Sequence, residues 1–174
     1  MKELKLLRLT AMVGIGLVGT SLGWAQGVLH SATGSGGAWD PLWGNEYRSF
    51  ALTAVQRSDG TTTGQLQIKN RLQQVVIHLR VESLYVEGNV AGIAGTITKC
   101  DADPQRVGNW GACAVADNGQ GKNAPPDQVA GMYWYYADPS SSTDYLAWGY
   151  VWLWNNDPTQ LVIFDADNGN IQVR

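Results

Sequence analysis

The residues able to do chemistry in this 174-residue chain are few and scattered. Asp101 and Asp103 form one close pair of carboxylates, and Asp165 and Asp167 form another. Paired carboxylates can serve glycoside hydrolysis, one as acid and the other as base or nucleophile, or they can collect calcium. Neither pair has the full spacing of a calcium loop. Both stand among turn-forming residues, where the usual duty of an aspartate is to cap local backbone. The histidines are His30 and His78. In an extended segment His78 faces away from its neighbours Ile77 and Leu79, which suits a packed or hydrogen-bonded imidazole better than a catalyst. Gly19-Thr20-Ser21-Leu22-Gly23 fits the nucleophile pattern G-x-S-x-G, but it lies in an apolar leader rather than on a strand-to-helix turn. Cys100 and Cys113 have no histidine at zinc-ligand spacing. The sequence assigns no catalytic residue, no metal ligand and no cofactor.

The aromatic residues are the more unusual feature. The chain has 8 Trp and 7 Tyr, concentrated in Tyr133–Trp154. Read as extended chain, Tyr145–Trp154 puts Leu146, Trp148, Tyr150, Trp152 and Trp154 on one face, with Tyr145, Ala147, Gly149, Val151 and Leu153 on the other. Val129–Tyr136 adds Met132, Trp134 and Tyr136 on one of its faces. Cross-strand aromatic packing can absorb one such face. Rings on both sides exceed what one core can hold, so Trp134, Trp148, Tyr150, Trp152 and Trp154 form the candidate ligand-binding set. Such rings suit a carbohydrate, an apolar small molecule or a protein surface.

The elements that must position these residues begin with a leader. Lys2, Lys5 and Arg8 precede an uncharged apolar run, Leu9–Leu22, and Gly23-Trp24-Ala25 offers small residues at positions −3 and −1 of a cleavage after Ala25. These are the three parts of a secretory signal, and the run is shorter than the roughly 20 residues a spanning helix needs. The expected organisation is a cleaved signal peptide over residues 1–25 and one all-β domain over 26–174, secreted or periplasmic, with no transmembrane helix in the mature chain. An oxidising compartment predicts that Cys100 and Cys113 are bridged across the loop holding Asp103-Pro104 and Trp110. The whole chain sets 12 Lys and Arg against 15 Asp and Glu, and three of the bases fall in the leader. The remainder is acidic without a basic cluster, which excludes nucleic acid and anionic membranes as partners.

Beyond the leader no segment reads as an amphipathic helix. Runs of period-two alternation are punctuated by Asp40-Pro41, Asp103-Pro104, Asp138-Pro139 and Asp157-Pro158, and by Asp59-Gly60, Asn118-Gly119 and Asn168-Gly169. Strands are expected at Tyr47–Arg57, Thr63–Lys69, Val75–Tyr85 (long enough to bend), Asn89–Lys99, Gly111–Asp117, Val129–Tyr136, Tyr145–Trp154, Gln160–Phe164 and Asn170–Val173. Eight to ten such strands predict a small antiparallel β-barrel or β-sandwich.

Phe50-Ala51-Leu52 precedes Asp59-Gly60, and Gly64-Gln65-Leu66-Gln67, the His78 strand, Val86–Gly95, Val115–Gly119 and the terminal Gly169–Val173 follow in order. The set resembles a group of secreted bacterial β-domains found behind signal peptides. The resemblance covers most of residues 30–174 and implies an exported all-β domain. It brings no activity and no catalytic residue, and Tyr133–Trp154 departs from it. Three function classes follow: a secreted, non-catalytic binding or interaction module using the Trp/Tyr surface, a small outer-membrane β-barrel with Trp and Tyr in its interfacial belts, or an extracytoplasmic hydrolase using a carboxylate pair. Against the second, the strands lack a sustained lipid-facing alternation and the chain ends in Arg174. N-terminal sequencing of the exported chain checks the leader. A start at Gln26 is expected, and an intact Met1 or a start before residue 20 refutes it.

Overall fold

Alternation of apolar and polar residues fixes which way each strand faces. The computed structural model describes residues 27–40, 46–70, 72–121, 123–138 and 140–174, so the leader lies outside it. Strand β1 is Val28–Asp40, β2 Glu46–Arg57, β3 Thr62–Asn70, β4 Val75–Glu87, β5 Val90–Cys100 and β6 Trp110–Ala116. Then come β7 (Gln128–Ala130), β8 (Tyr133–Tyr135), a helix α1 (Thr143–Asn156), β9 (Ile163–Asp165) and β10 (Asp167–Val173). Phe50, Leu52 and Ala54 of β2 and Leu66 of β3 point inward, while Ala51, Thr53, Gln65, Gln67 and Lys69 point out. The Asp59-Gly60 turn joins the two strands. Gly60 takes a φ of 84°, open to glycine, and Asp59 Oδ1 accepts the Thr61 N–H at 2.9 Å.

The strands pair antiparallel in the order β10-β1-β2-β3-β4-β5-β6-β7-β9, with β8 beside β6 off that path. The two end strands, β9 and β10, are separated in sequence by Ala166 alone. The sheet therefore curls round into a nearly closed barrel. Leu79, Ile93, Ile97, Val115 and Ile171, each at most 1% exposed, pack in its interior.

A register shift in the β4–β5 ladder re-sorts the faces. Ile77, Leu79 and Val81 of β4 point inward, but beyond the bulge at Val81/Ser83 the inward residues are Leu84 and Val86. The bulge leaves Glu82 and Ser83 both directed outward, the usual effect of one extra residue in a ladder. This is the bend expected of Val75–Tyr85.

Four expectations are corrected. Tyr145–Trp154 is not a strand but the body of α1. Val129–Tyr136 breaks at Gly131-Met132 into β7 and β8, and Gln160 belongs to a 3₁₀ turn, Pro158–Gln160, ahead of β9. Cys100 and Cys113 are both buried and unpaired. Cys113 lies opposite Ile93, whereas Cys100 lies seven residues further along β5, opposite Ile77. That offset is about 23 Å at the rise of a strand, beyond the roughly 7 Å Cα separation a disulfide spans.

The first strand escapes the sequence pattern because small residues fill its middle, from Ser31 to Ala38. Its glycines are fixed by what stands against them. A Cβ on Gly34 would lie 2.5 Å from the Asn170 carbonyl oxygen, and one on Gly37 would lie 2.0 Å from the Tyr47 hydroxyl.

The barrel closes through carboxylates. On the side of β10 away from β1, the Ile171 N–H donates to Asp127 Oδ2 at 2.7 Å and the Val173 N–H to Asp117 Oδ2 at 3.2 Å. The other oxygens are also engaged: Asp127 Oδ1 accepts from Asn118 N–H and Asp117 Oδ1 from Gly119 N–H, each at 2.9 Å. Asp127 is 8% exposed, so removing it strands buried amide donors. Asp127→Ala is expected to cost about 3–5 kcal/mol in urea unfolding. Exposed Asp165→Ala should cost about 0.5 kcal/mol or less. Equal, small losses for both refute the carboxylate closure.

Candidate functional site

Local sequence explains why α1 is helical where alternation suggested a strand. Ser142 is its N-cap, with Oγ accepting the Tyr145 N–H at 3.2 Å. Asp144 sits in the first turn, favourable to the helix dipole, and Asp157-Pro158 ends the helix. The helix lies on the outer face of β4, β5 and β6. That face is built from small residues, Ala94, Ala112, Ala114 and Ala116, in contact with Ala147, Tyr150 and Val151 of the helix. Approach is closest at Gly92, where an added Cβ would lie 1.9 Å from the Ala147 carbonyl oxygen. The outward-turned Ser83, 2% exposed, pins the N-terminal end. Its Oγ lies 2.7 Å from Thr143 Oγ1 and donates to Asp144 Oδ1 at 2.5 Å.

The 3.6-residue period re-sorts the aromatic set. Ala147, Tyr150 and Val151 turn to the barrel, with Tyr150 2% exposed. Burial first, then the adjacent Tyr135 hydroxyl, pushes the Tyr150 phenol well above its ordinary range, and Tyr135 Oη donates to Tyr150 Oη at 3.4 Å. Trp154 is half-buried against the same cluster. On the opposite face Tyr145, Trp148 and Trp152 are 62%, 39% and 46% exposed. Their ring centroids are 5.6 and 6.5 Å apart, with planes tilted by 38° and 37°. Gly149 has no atom within 4 Å of where a Cβ would stand. The space it leaves is part of a groove of about 440 Å³ bordered by Tyr135, Tyr145, Leu146, Trp148, Trp152 and Leu153.

Of the five candidate residues, Trp148 and Trp152 thus share one exposed row, while Tyr150 and Trp154 turn towards the barrel. Trp134 lies in β8 opposite Gly111, and its side chain is outside the described residues. Tyr145, which alternation placed on the other face, joins the row. The signal that finds it is the i, i+3, i+7 spacing of 145, 148 and 152.

The acids are occupied elsewhere. Asp101 accepts the Val76 N–H at 3.2 Å and pairs with Lys99 at 3.2 Å. Asp103 caps the Pro104–Arg106 turn and pairs with Arg106 at 3.1 Å. Asp165 accepts from Gln128 Nε2 at 3.0 Å. Asp117 and Asp127 do converge, at the barrel closure, where backbone donors take both oxygens of each. Burial pushes the Cys113 thiol up to about 12, which suits packing rather than nucleophilic attack. His78 Nε2 lies 2.9 Å from Gln67 Nε2 on the outer face. Among the described residues no group of three or more His, Cys, Asp or Glu is placed to hold a metal ion, and no helix is long and apolar enough to cross a membrane.

No family model matches the chain, nor does any curated protein or solved structure. Thermal and urea unfolding separate the two helix faces. Trp148→Ala and Trp152→Ala should each cost about 1 kcal/mol or less, and Tyr150→Ala about 3–5 kcal/mol. Comparable losses for all three would make the exposed row part of the core.

Proposed function

We propose that the chain is an exported, non-catalytic β-barrel domain that binds a partner through the aromatic face of α1. The observation that carries this reading is the exposed row of Tyr145, Trp148 and Trp152 on a helix already docked by its other side. A contiguous exposed apolar row is unusual on a soluble surface and characteristic of a contact, and Trp and Tyr dominate the energetics of such contacts. Export is supported by the leader composition and by the resemblance to secreted bacterial β-domains. Among chemistries that pack on aromatic rings, a protein surface suits a groove formed on one helix face better than a flat sugar platform or an enclosed apolar pocket does.

Two other readings have less support. A lipid-embedded barrel turns apolar residues outward and polar ones inward. Here Gln65, Gln67, Lys69 and Arg80 point out from β3 and β4 while Leu66, Ile77 and Leu79 point in. A carboxylate hydrolase needs two acids free to act on one bond, and the converging pair, Asp117 and Asp127, is committed to backbone amides. Site-specific photo-crosslinking tests the contact face. A benzophenone amino acid at position 148 or 152 of the exported chain, in its own host, should give discrete adducts, and one at Thr53 or Gln65 on the opposite outer wall should not. No adducts at 148 and 152, or equal adducts at all four positions, refutes the reading.

A further inference from the structure

We infer that the aromatic face of α1 receives a cationic polypeptide segment, one that lays Arg or Lys side chains against Trp148 and Trp152. The inference rests on the reading of α1 as the contact face and adds the charge of its partner. The ring faces of Trp and Tyr are electron-rich and attract guanidinium and ammonium groups, Trp most strongly. The surroundings reinforce that sign. The helix itself has one Asp and no Lys, Arg or His. Asp144 stands one helical turn ahead of Trp148, at the i, i+4 spacing that places side chains side by side. Asp138 lies in the loop leading into α1, with Ser140 N–H and Oγ donating to its Oδ1 at 2.8 Å each. Those bonds hold its carboxyl below the usual range, so the charge persists.

The strands beneath the helix supply no competing cation. β6 has no charged residue, β5 has none before Lys99, Lys99 is paired with Asp101, and Arg80 of β4 is paired with Glu82 at 2.7 Å. The geometry selects among neutral and charged occupants as well. Rings tilted by 37–38° make a trough rather than a plane, and the open space at Gly149 admits a side chain between them. Interfacial membrane helices carry Lys and Arg on the polar face, and α1 carries none.

The test is a fluorescence titration of the exported chain with a peptide of four Arg-Gly repeats. A control peptide carries citrulline, the neutral isostere, at each arginine, and phosphatidylcholine vesicles are titrated in parallel. The arginine peptide should bind, more weakly as salt rises, and the citrulline peptide about tenfold more weakly. Trp148→Leu and Trp152→Leu keep apolar bulk but lose the ring face. Each should weaken arginine-peptide binding about 2–5-fold with the melting temperature unchanged. Equal binding of the two peptides, full affinity in both leucine variants, absence of peptide binding, or vesicle binding that alone is lost in those variants overturns the inference. Crosslinks at 148 or 152 alongside a failed peptide titration would refute the cationic partner and leave α1 as the contact face, whereas absent crosslinks would remove both.

Discussion

A sheet that winds round on itself still has two edges. Here they are β10, seven residues long, and β9, only three. The amides of Ile171 and Val173 therefore meet no strand on the closing side. Asp127 and Asp117 take the place of the missing partner, and hydrogen bonds to an ionised carboxylate are stronger than those to a carbonyl. Burying a carboxylate is costly unless its oxygens are satisfied, which is why the same two acids also hold the amides of Asn118 and Gly119. Asn89, in the turn between β4 and β5, ties in by donating to the Asp117 carbonyl at 2.9 Å. Val86–Gly95, Val115–Gly119 and Gly169–Val173 thus meet at one place. Their joint task is closure.

Closure determines what the two surfaces of the sheet must be. The inside holds the large branched residues, and the outside divides. Along β2–β4 it is polar and suited to water. Along β5–β7 it is Gly92, Ala94, Ala112, Ala114, Ala116 and Ala130, an apolar wall too smooth to stand alone. The helix α1 covers that wall. At 14 residues it would be marginal by itself, so it owes its existence to the docking of Ala147, Tyr150 and Val151 and to the Ser83 clamp that the β4 bulge turns outward.

How much of this could be read in advance follows from which interactions are local. Strands β2 to β6 were legible because one face is buried and one is wet, so period-two alternation survives in their sequence. Strand β1 was not, because Gly34 and Gly37 are required by Asn170 and Tyr47 on the paired strands β10 and β2, and small residues leave no alternation to see. The helix defeats alternation because every residue from Tyr145 to Trp154 except Gly149 is apolar or aromatic, which satisfies both periods. The caps Ser142 and Asp157-Pro158 were the better evidence. The unbridged cysteines follow from register, which composition and compartment do not encode. The aromatic site was legible as a concentration of rings but not as a surface, since choosing between Tyr145 and Tyr150 requires knowing that the segment is helical.

The exposed face of α1 contains two features that the fold does not require. Three large rings face outward, where polar residues would serve a docking helix equally well. Gly149 interrupts the middle of the helix, costing about 1 kcal/mol relative to alanine, and neither a close approach nor a left-handed φ accounts for it. Each feature alone is a minor departure from what a stable helix prefers. They coincide on one side of one element: the glycine removes a side chain from among the rings and deepens the space they border. Departures from local consistency concentrate where a surface answers to something other than stability. The wall beneath α1 explains why the helix is there; it does not explain the rings or the glycine, and these are what support the proposed contact on the outer face.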